Sequence, residues 1–407
     1  MSMELVLFDL DDTLIRTGDL ERFRGAANAE RQPPNYVAEL TRAFLGGFGR
    51  HYYSRSHLDE LKRQTPAIKI GVFTRAPRVY AMTLLGLAYP GFEWDVVVAY
   101  GDVPRTKPHG DGIWHAMVQC GVADRYKVVM VGDNKVDIQA AYNAGCWAVL
   151  DRASWSNPWG REQYWALERV PDAFISSPAE LLRFTLDPLE FLPELERAGW
   201  ATGPLPQIRY RDARASYFNP LTPDVNRPVS IHFMGRFFTQ DSPNRAAWHR
   251  LNQEIIQMKE SMDYPGHWIN SIGAFLDSLP IFQFEGAVAV TVVPAKPGRL
   301  PRLESMLAQL AASREWSPNV EFIPDLMSYR QGVRSHSGEH LNREQRFQNV
   351  RDCLIVNNGA RVAGKPVIVI DDVVTTGASL IYAKIMLEVA GASEVICLSM
   401  AKAINGQ

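Results

Sequence analysis

Val367-Ile-Val-Ile-Asp-Asp-Val-Val-Thr-Thr-Gly-Ala-Ser379 decides how the second half of this chain folds. Four consecutive β-branched residues, Val367 to Ile370, read as a strand buried on both faces, as in a parallel sheet. Asp371 and Asp372 stand at its end. Thr375, Thr376, Gly377, Ala378 and Ser379 then form a hydroxyl-rich turn opening a helix predicted over Leu380–Val389. Free backbone N–H groups of that turn and the positive end of the helix face one point, which suits a phosphate. The two carboxylates, several ångströms away, can accept hydrogen bonds from vicinal hydroxyls. This spacing predicts a site for a ribose 5-phosphate; the competing reading is an ordinary strand-to-helix turn with a chance acidic pair.

All thirteen positions fit the 5-phosphoribosyl-1-pyrophosphate (PRPP) signature of type I phosphoribosyltransferases. From about Ile208 onward the chain resembles the ComF-type competence-protein branch of that family, without its amino-terminal zinc ribbon. Val229–Arg236, Ala287–Val293 and Arg346–Val350 follow that branch's order as softer matches. The resemblance implies a type I phosphoribosyltransferase fold, PRPP binding with Mg²⁺, and glycosyltransferase chemistry. Pro294-Ala-Lys-Pro-Gly-Arg299 follows a strand and precedes a helix, so Lys296, Arg299 and the helix N-terminus can receive a pyrophosphate; a plain surface turn is the alternative. The family's usual Arg-Gly-Phe-Asn-Gln run after this loop reads Arg302-Leu-Glu-Ser-Met306 here, a departure that bears on catalysis more than on fold.

The first half opens on a second acidic strand end. Leu5–Phe8 is a short buried-strand pattern, followed by Asp9-Leu-Asp-Asp-Thr13, where open α/β sheets place ligands. Asp9 and Asp11 can face one centre from a tight turn, as nucleophile or metal ligand and as acid/base; loop capping is the bland reading. Lys69–Phe73 is another strand and ends in Thr74, whose hydroxyl can hold a phosphoryl oxygen. Lys107 follows a third strand pattern, Asp95–Ala99, and Asp133 and Asp137 follow Val128–Val131 at the mouth of a helix.

In this order the pieces match the haloacid dehalogenase-like (HAD) phosphohydrolase superfamily, with a resemblance to its phosphoglycolate-phosphatase-like branch over roughly Met1–Phe184. The resemblance implies that Asp9 forms an aspartyl-phosphate and that Asp11 serves as acid and base. It also implies that Thr74 and Lys107 hold the transferring group. Asp9, the carbonyl of Asp11 and Asp133 would bind Mg²⁺, with Asp137 in support. Phosphoryl transfer needs mainly positioning and charge neutralisation, which these residue types provide. Helical patterns at Val37–Phe48 and Ser56–Gln64 fall where this superfamily inserts a cap, about residues 14–67. The charged group Glu21, Arg22 and Arg24 reads as a solvated face.

The 407 residues suffice for two packed domains of ordinary globular composition, and a formal charge of −2 argues against a basic nucleic-acid wrapper. Four cysteines without CxxC spacing suggest neither a zinc ribbon nor a disulfide framework. The chain opens without a secretory signal and holds no membrane-length apolar run, so a cytoplasmic protein is expected. Gly199, Gly203, Pro204 and Pro206 mark a joint.

The expected architecture is α/β with two three-layer domains: residues 1–184 a HAD-type Rossmannoid phosphohydrolase, 185–207 a linker, 208–407 a phosphoribosyltransferase-like domain. Tyr329–Arg346, with four arginines, suits a flap over a polyphosphate or a merely exposed loop, and His336 and His340 have no metal-ligand company. Between Arg209 and Arg250, core aromatics with exposed arginines are expected. The pair predicts a bifunctional enzyme of nucleotide metabolism, joining PRPP-dependent transfer to Mg²⁺-dependent phosphatase action on a phosphorylated small molecule or nucleotide. The alternative is a PRPP- or nucleotide-sensing module that regulates a phosphatase or a partner in a stress-response or antiviral system. No nucleic-acid or protein partner is indicated.

Overall fold

The computed structural model describes residues 2–25, 33–157, 160–200, 216–218, 229–283, 286–334 and 342–404. Pro158, Trp159, Gly203, Pro204, Pro206, the start at Ile208, Arg209, His336 and His340 lie outside the described residues. The chain divides into two compact units. One comprises Met1–Phe191, Phe238–Trp248 and Ile404–Gln407; the other comprises Leu192–Phe237 and His249–Ala403.

The first unit is built on six parallel strands, β1 (Leu5–Phe8), β2 (Lys69–Pro77), β3 (Val96–Tyr100), β4 (Val128–Gly132), β5 (Trp147–Asp151) and β6 (Ala173–Ile175). Their order is β3-β2-β1-β4-β5-β6, and the direction of winding reverses between β1 and β4. A crevice therefore opens outside the carboxyl ends of those two strands. Every residue of β1, β4 and β5 is buried, which accounts for their apolar text up to Asp151 at the end of β5.

The helices α1 (Tyr36–Leu45) and α2 (Arg55–Gln64) lie between β1 and β2 in the chain; α3 (Arg78–Ala88), α4 (Asp111–Cys120) and α5 (Lys135–Ala144) cross between later strands. α3 packs on β2 and β3, α4 on β1, β2 and β3, and α5 on β4 and β5. α6 (Arg161–Glu168) and α7 (Pro178–Leu186) complete the N-terminal run. α5 starts at a capping box, with Asn134 as N-cap and the Asp137 side chain returning to the Asn134 N–H, and it stops at Gly145, whose φ of 86° favours glycine.

A later segment joins this unit. Arg245 of the short helix α9 (Pro243–Ala246) is fully buried, 2.6 Å from Asp172 and stacked 3.8 Å from the Trp248 ring centroid, with Trp147 and Phe238 beside it. Arg236 of the second unit is buried too, paired through two nitrogens to Glu196 on α8 (Glu194–Trp200), with His249 Nε2 3.0 Å from the same carboxylate. The expectation of exposed arginines fails at these two positions, because each guanidinium has a buried carboxylate partner distant in sequence.

The second unit's sheet runs β11-β10-β14-β15-β8-β7. Its members are β7 (Ser216–Phe218), β8 (Ile231–Phe233), β10 (Val288–Val292), β11 (Val320–Phe322), β14 (Pro366–Val374) and β15 (Glu394–Ile404), parallel except where β7 meets β8. β9 (Arg236–Phe238) follows β8; β12 (Met327–Tyr329) and β13 (Leu354–Val356) form a separate antiparallel pair. Helices α10 (Arg250–Met258), α11 (Gly266–Ser278), α12 (Arg302–Ala312), α13 (Arg343–Cys353) and α14 (Ala378–Val389) connect the strands. β14 is longer than Val367–Ile370, since its pairing with β15 continues through Asp371, Val373 and Val374. The acidic pair thus lies inside the strand. No helix among the described residues is long and apolar enough to cross a membrane.

Candidate functional site

At the carboxyl ends of β1 and β4 the first unit gathers the acidic residues that lie far apart in sequence. Asp9 is held by its backbone N–H to the Val131 carbonyl, 2.8 Å away, which ties the end of β1 to that of β4. Lys107 Nζ is buried between two carboxylates, 2.6 Å from Asp9 Oδ1 and 2.7 Å from Asp137 Oδ1. Asp137 Oδ2 accepts the Asn134 N–H, and Asp133 Oδ1 accepts the Thr13 hydroxyl at 3.2 Å. Gly132 makes the approach possible: a Cβ there would meet the Asp137 carboxyl at 2.2 Å.

Burial dominates the electrostatics. It pushes Asp133 well above the usual carboxylate range, with Asp137 and Asp9 adding to the effect. It raises Asp137 to about 6 against the pull of Lys107. Burial alone would lower Lys107, but the carboxylates of Asp137 and Asp9 outweigh it and raise the ammonium.

Carboxylate oxygens of Asp9, Asp133 and Asp137 lie within 4.8 Å of one another. Hard oxygen donors with unneutralised buried charge fit a small divalent cation such as Mg²⁺, which keeps several waters and takes few protein ligands. Asp9 and Asp133 would hold it, with Asp137, engaged by Lys107 and Asn134, behind them.

Asp11 faces another way. Its Oδ1 accepts from the Thr17 hydroxyl at 2.7 Å and the Tyr80 hydroxyl at 2.8 Å, and lies 3.1 Å from Arg24 Nε. Burial raises Asp11 to about 6, opposed by Arg24 and assisted by Asp9. Arg24 also reaches Asp12, so it is part of the site and not of a solvated face. Nothing in the linear text marks this, because a short 3₁₀-helical stretch at Gly18–Phe23 brings Arg24 back to the acidic turn. Tyr80, on α3, escaped notice for the same reason. Thr74 is fully buried, its Oγ1 accepting the Ala76 N–H, while Arg75 is exposed.

The second unit holds a cavity of about 730 Å³ at the carboxyl ends of β10 and β14. Asp371, Asp372, Thr375, Thr376, Gly377, Ala378, Ser379, Lys296 and Arg299 all line it, so the two stretches separated in sequence meet there. Gly377, with φ 81°, is the N-cap of α14 in a backbone conformation that favours glycine. Burial, and then Asp372, push Asp371 well above the ordinary carboxylate range. Arg302 Nη2 lies 3.0 Å from Asp372 Oδ2. Arg346 also lines the cavity, with a long 3.5 Å contact to the Thr375 hydroxyl.

Residues 50–150 match the haloacid dehalogenase-like hydrolase family model. The chain is 28% identical over 214 residues to the pyrophosphatase PpaX of Anoxybacillus flavithermus, covering 45% of this chain and 96% of that one. It is 29% identical over 176 residues to a Bacillus cereus PpaX, covering 36% and 81%. Among solved structures it is similar to a predicted phosphoglycolate phosphatase from Haemophilus somnus, with 20% identity, TM-score 0.34, and 46% of this chain and 99% of that chain covered. Another is CbbY from Rhodobacter sphaeroides, with 19% identity, TM-score 0.34, and 44% and 96% covered. The N-terminal part of the chain is a haloacid dehalogenase-like hydrolase domain.

Proposed function

We propose that the first unit hydrolyses a phosphate ester or anhydride through an aspartyl-phosphate on Asp9. The observation that carries this reading is Lys107 buried between Asp9 and Asp137 with Asp133 adjoining, at the switch point of the parallel sheet. Asp9 attacks phosphorus, and Lys107 and the Thr74 hydroxyl hold the equatorial oxygens. Asp11, raised to about 6 and held by Arg24, Tyr80 and Thr17, carries a proton to the leaving oxygen and then takes one from water. Bound Mg²⁺ would supply further charge neutralisation at the phosphoryl group. The relatives named pyrophosphatases make inorganic pyrophosphate the first compound to try, with phosphomonoesters beside it. Phosphate release that needs Mg²⁺ and disappears in Asp9→Asn tests the proposal.

For the second unit we infer a site for a 5-phosphoribosyl group: the Thr375–Ser379 turn takes the 5-phosphate, and Asp371 and Asp372 face the ribose hydroxyls. Transfer from PRPP to an acceptor, followed by dephosphorylation in the first unit, is a second reading, favoured by Lys296 and Arg299 lining the same cavity. Mass spectrometry of a metabolite extract incubated with PRPP and Mg²⁺ separates the two. Transfer predicts a phosphoribosylated species with Asp9→Asn protein and its dephosphorylated form with wild type. If neither protein yields a ribosylated species, the second unit binds without transferring.

A further inference from the structure

The two ends of the second unit's cavity differ in whether their donors are already used. At the β14–α14 end the Tyr329 hydroxyl, on a residue only 7% exposed, lines the cavity within reach of the Ser379 side chain and, among the described residues, makes no hydrogen bond of good geometry. A buried hydroxyl left this way is costly unless a ligand supplies the partner.

The β10–α12 end is filled by the chain itself. Glu304, in the first turn of α12, accepts the Ala295 N–H through Oε1 at 2.7 Å, so a carboxylate sits on the loop amide that a pyrophosphate would need. Its other oxygen, Oε2, is buried and has no hydrogen-bond partner among the described residues. Lys296 Nζ donates to the Arg334 carbonyl at 2.6 Å. Glu304 lines the cavity with Glu260, Asp371 and Asp372, and its charge, set on the Ala295 amide itself, opposes a pyrophosphate there although Lys259, Lys296, Arg299, Arg302 and Arg346 line the same cavity.

We propose that this cavity takes a pentose 5-monophosphate carrying no 1-pyrophosphate, with Glu304 standing in for the pyrophosphate on the Pro294–Arg299 loop. The inference rests on the reading of Asp371–Ser379 as a 5-phosphoribosyl site. Tyr329 adds a donor to the phosphate turn. Ribose 5-phosphate and nucleoside 5-monophosphates share the recognised chemistry, and the acceptor face of Glu304 excludes an anion at C1.

The test is calorimetric titration of the full chain carrying Asp9→Asn, so that ligands survive, with Mg²⁺ and either ribose 5-phosphate or PRPP. The expected result is ribose 5-phosphate binding at least as tightly as PRPP. Adding Glu304→Gln, which keeps the shape and removes the charge, should tighten PRPP at least tenfold and leave ribose 5-phosphate within threefold. PRPP binding tenfold or more tighter than ribose 5-phosphate before that change would overturn the inference while upholding the 5-phosphoribosyl site. Binding of neither compound would overturn the site itself.

Discussion

Lys107 Nζ lies 2.6 Å from Asp9 Oδ1, both at the sheet's carboxyl end although they stand in different loops. This pair fixes the orientation of Asp9, the proposed nucleophile, and with Asp137 it balances charge that burial makes expensive.

Lys107→Met should therefore act on stability and turnover together. Two buried carboxylates lose their cation, which costs about 3–5 kcal/mol, and phosphate release should fall by at least about 10²-fold. Urea unfolding followed beside phosphate release checks both. Added Mg²⁺ should recover part of the stability and little of the turnover.

Arg24→Ala should impair acid catalysis selectively. Asp11 loses its ion pair and its fixed position, so hydrolysis of an alkyl phosphate should slow by about 10–100-fold. p-Nitrophenyl phosphate, whose leaving group needs little protonation, should lose less in a burst assay of the first, phosphoryl-transfer step, while the shared water-activating step slows for both compounds. Equal loss in the first step on both compounds would show that Arg24 does not act through protonation of the leaving group.

Glu196 gives the second unit a defined acid limit. Burial alone would raise it, but Arg236 and His249 outweigh burial and hold the carboxyl well below its ordinary value of 4.5. A depressed folded-state pKa means that the stabilisation is complete above about pH 4.5 and is lost as pH falls below that value. Glu196→Gln should flatten this acid limb and lower stability at neutral pH, since the buried Arg236 no longer faces a carboxylate charge at position 196. Unfolding midpoints between pH 3 and 7 read the difference.

Gly377→Ala should weaken ribose 5-phosphate binding. Its φ of 81° imposes about 1–2 kcal/mol of strain on any residue with a Cβ, and relief of that strain turns the loop amides away. Titration of ribose 5-phosphate should show the loss, with a lowered melting temperature beside it.

How much of this was legible in the text depends on the range of each interaction. Val367–Ile370 announced a doubly buried strand, and Asp9, Lys107, Asp133 and Asp137 could be listed from strand ends because an open parallel sheet brings such ends together. The extension of β14 through Asp371 was not legible, since it depends on pairing with β15 and not on local residue type. Arg24 looked like one member of a charged surface run, and its neighbours Glu21 and Arg22 are indeed exposed. Only the fold of the Gly18–Phe23 turn distinguishes it. Glu304 was visible as a departure from a family pattern, whereas its contact with the Ala295 amide needed the geometry.

Hydrolysis through Asp9 requires that its carboxylate be phosphorylated during turnover. Borohydride reduces an aspartyl-phosphate to homoserine, so protein quenched during turnover of inorganic pyrophosphate or p-nitrophenyl phosphate with Mg²⁺ can be digested and read by mass spectrometry. Homoserine is expected at position 9, dependent on substrate and metal, with no phosphate release from Asp9→Asn. Phosphate release with an unmodified Asp9, or substantial turnover by Asp9→Asn, would contradict it.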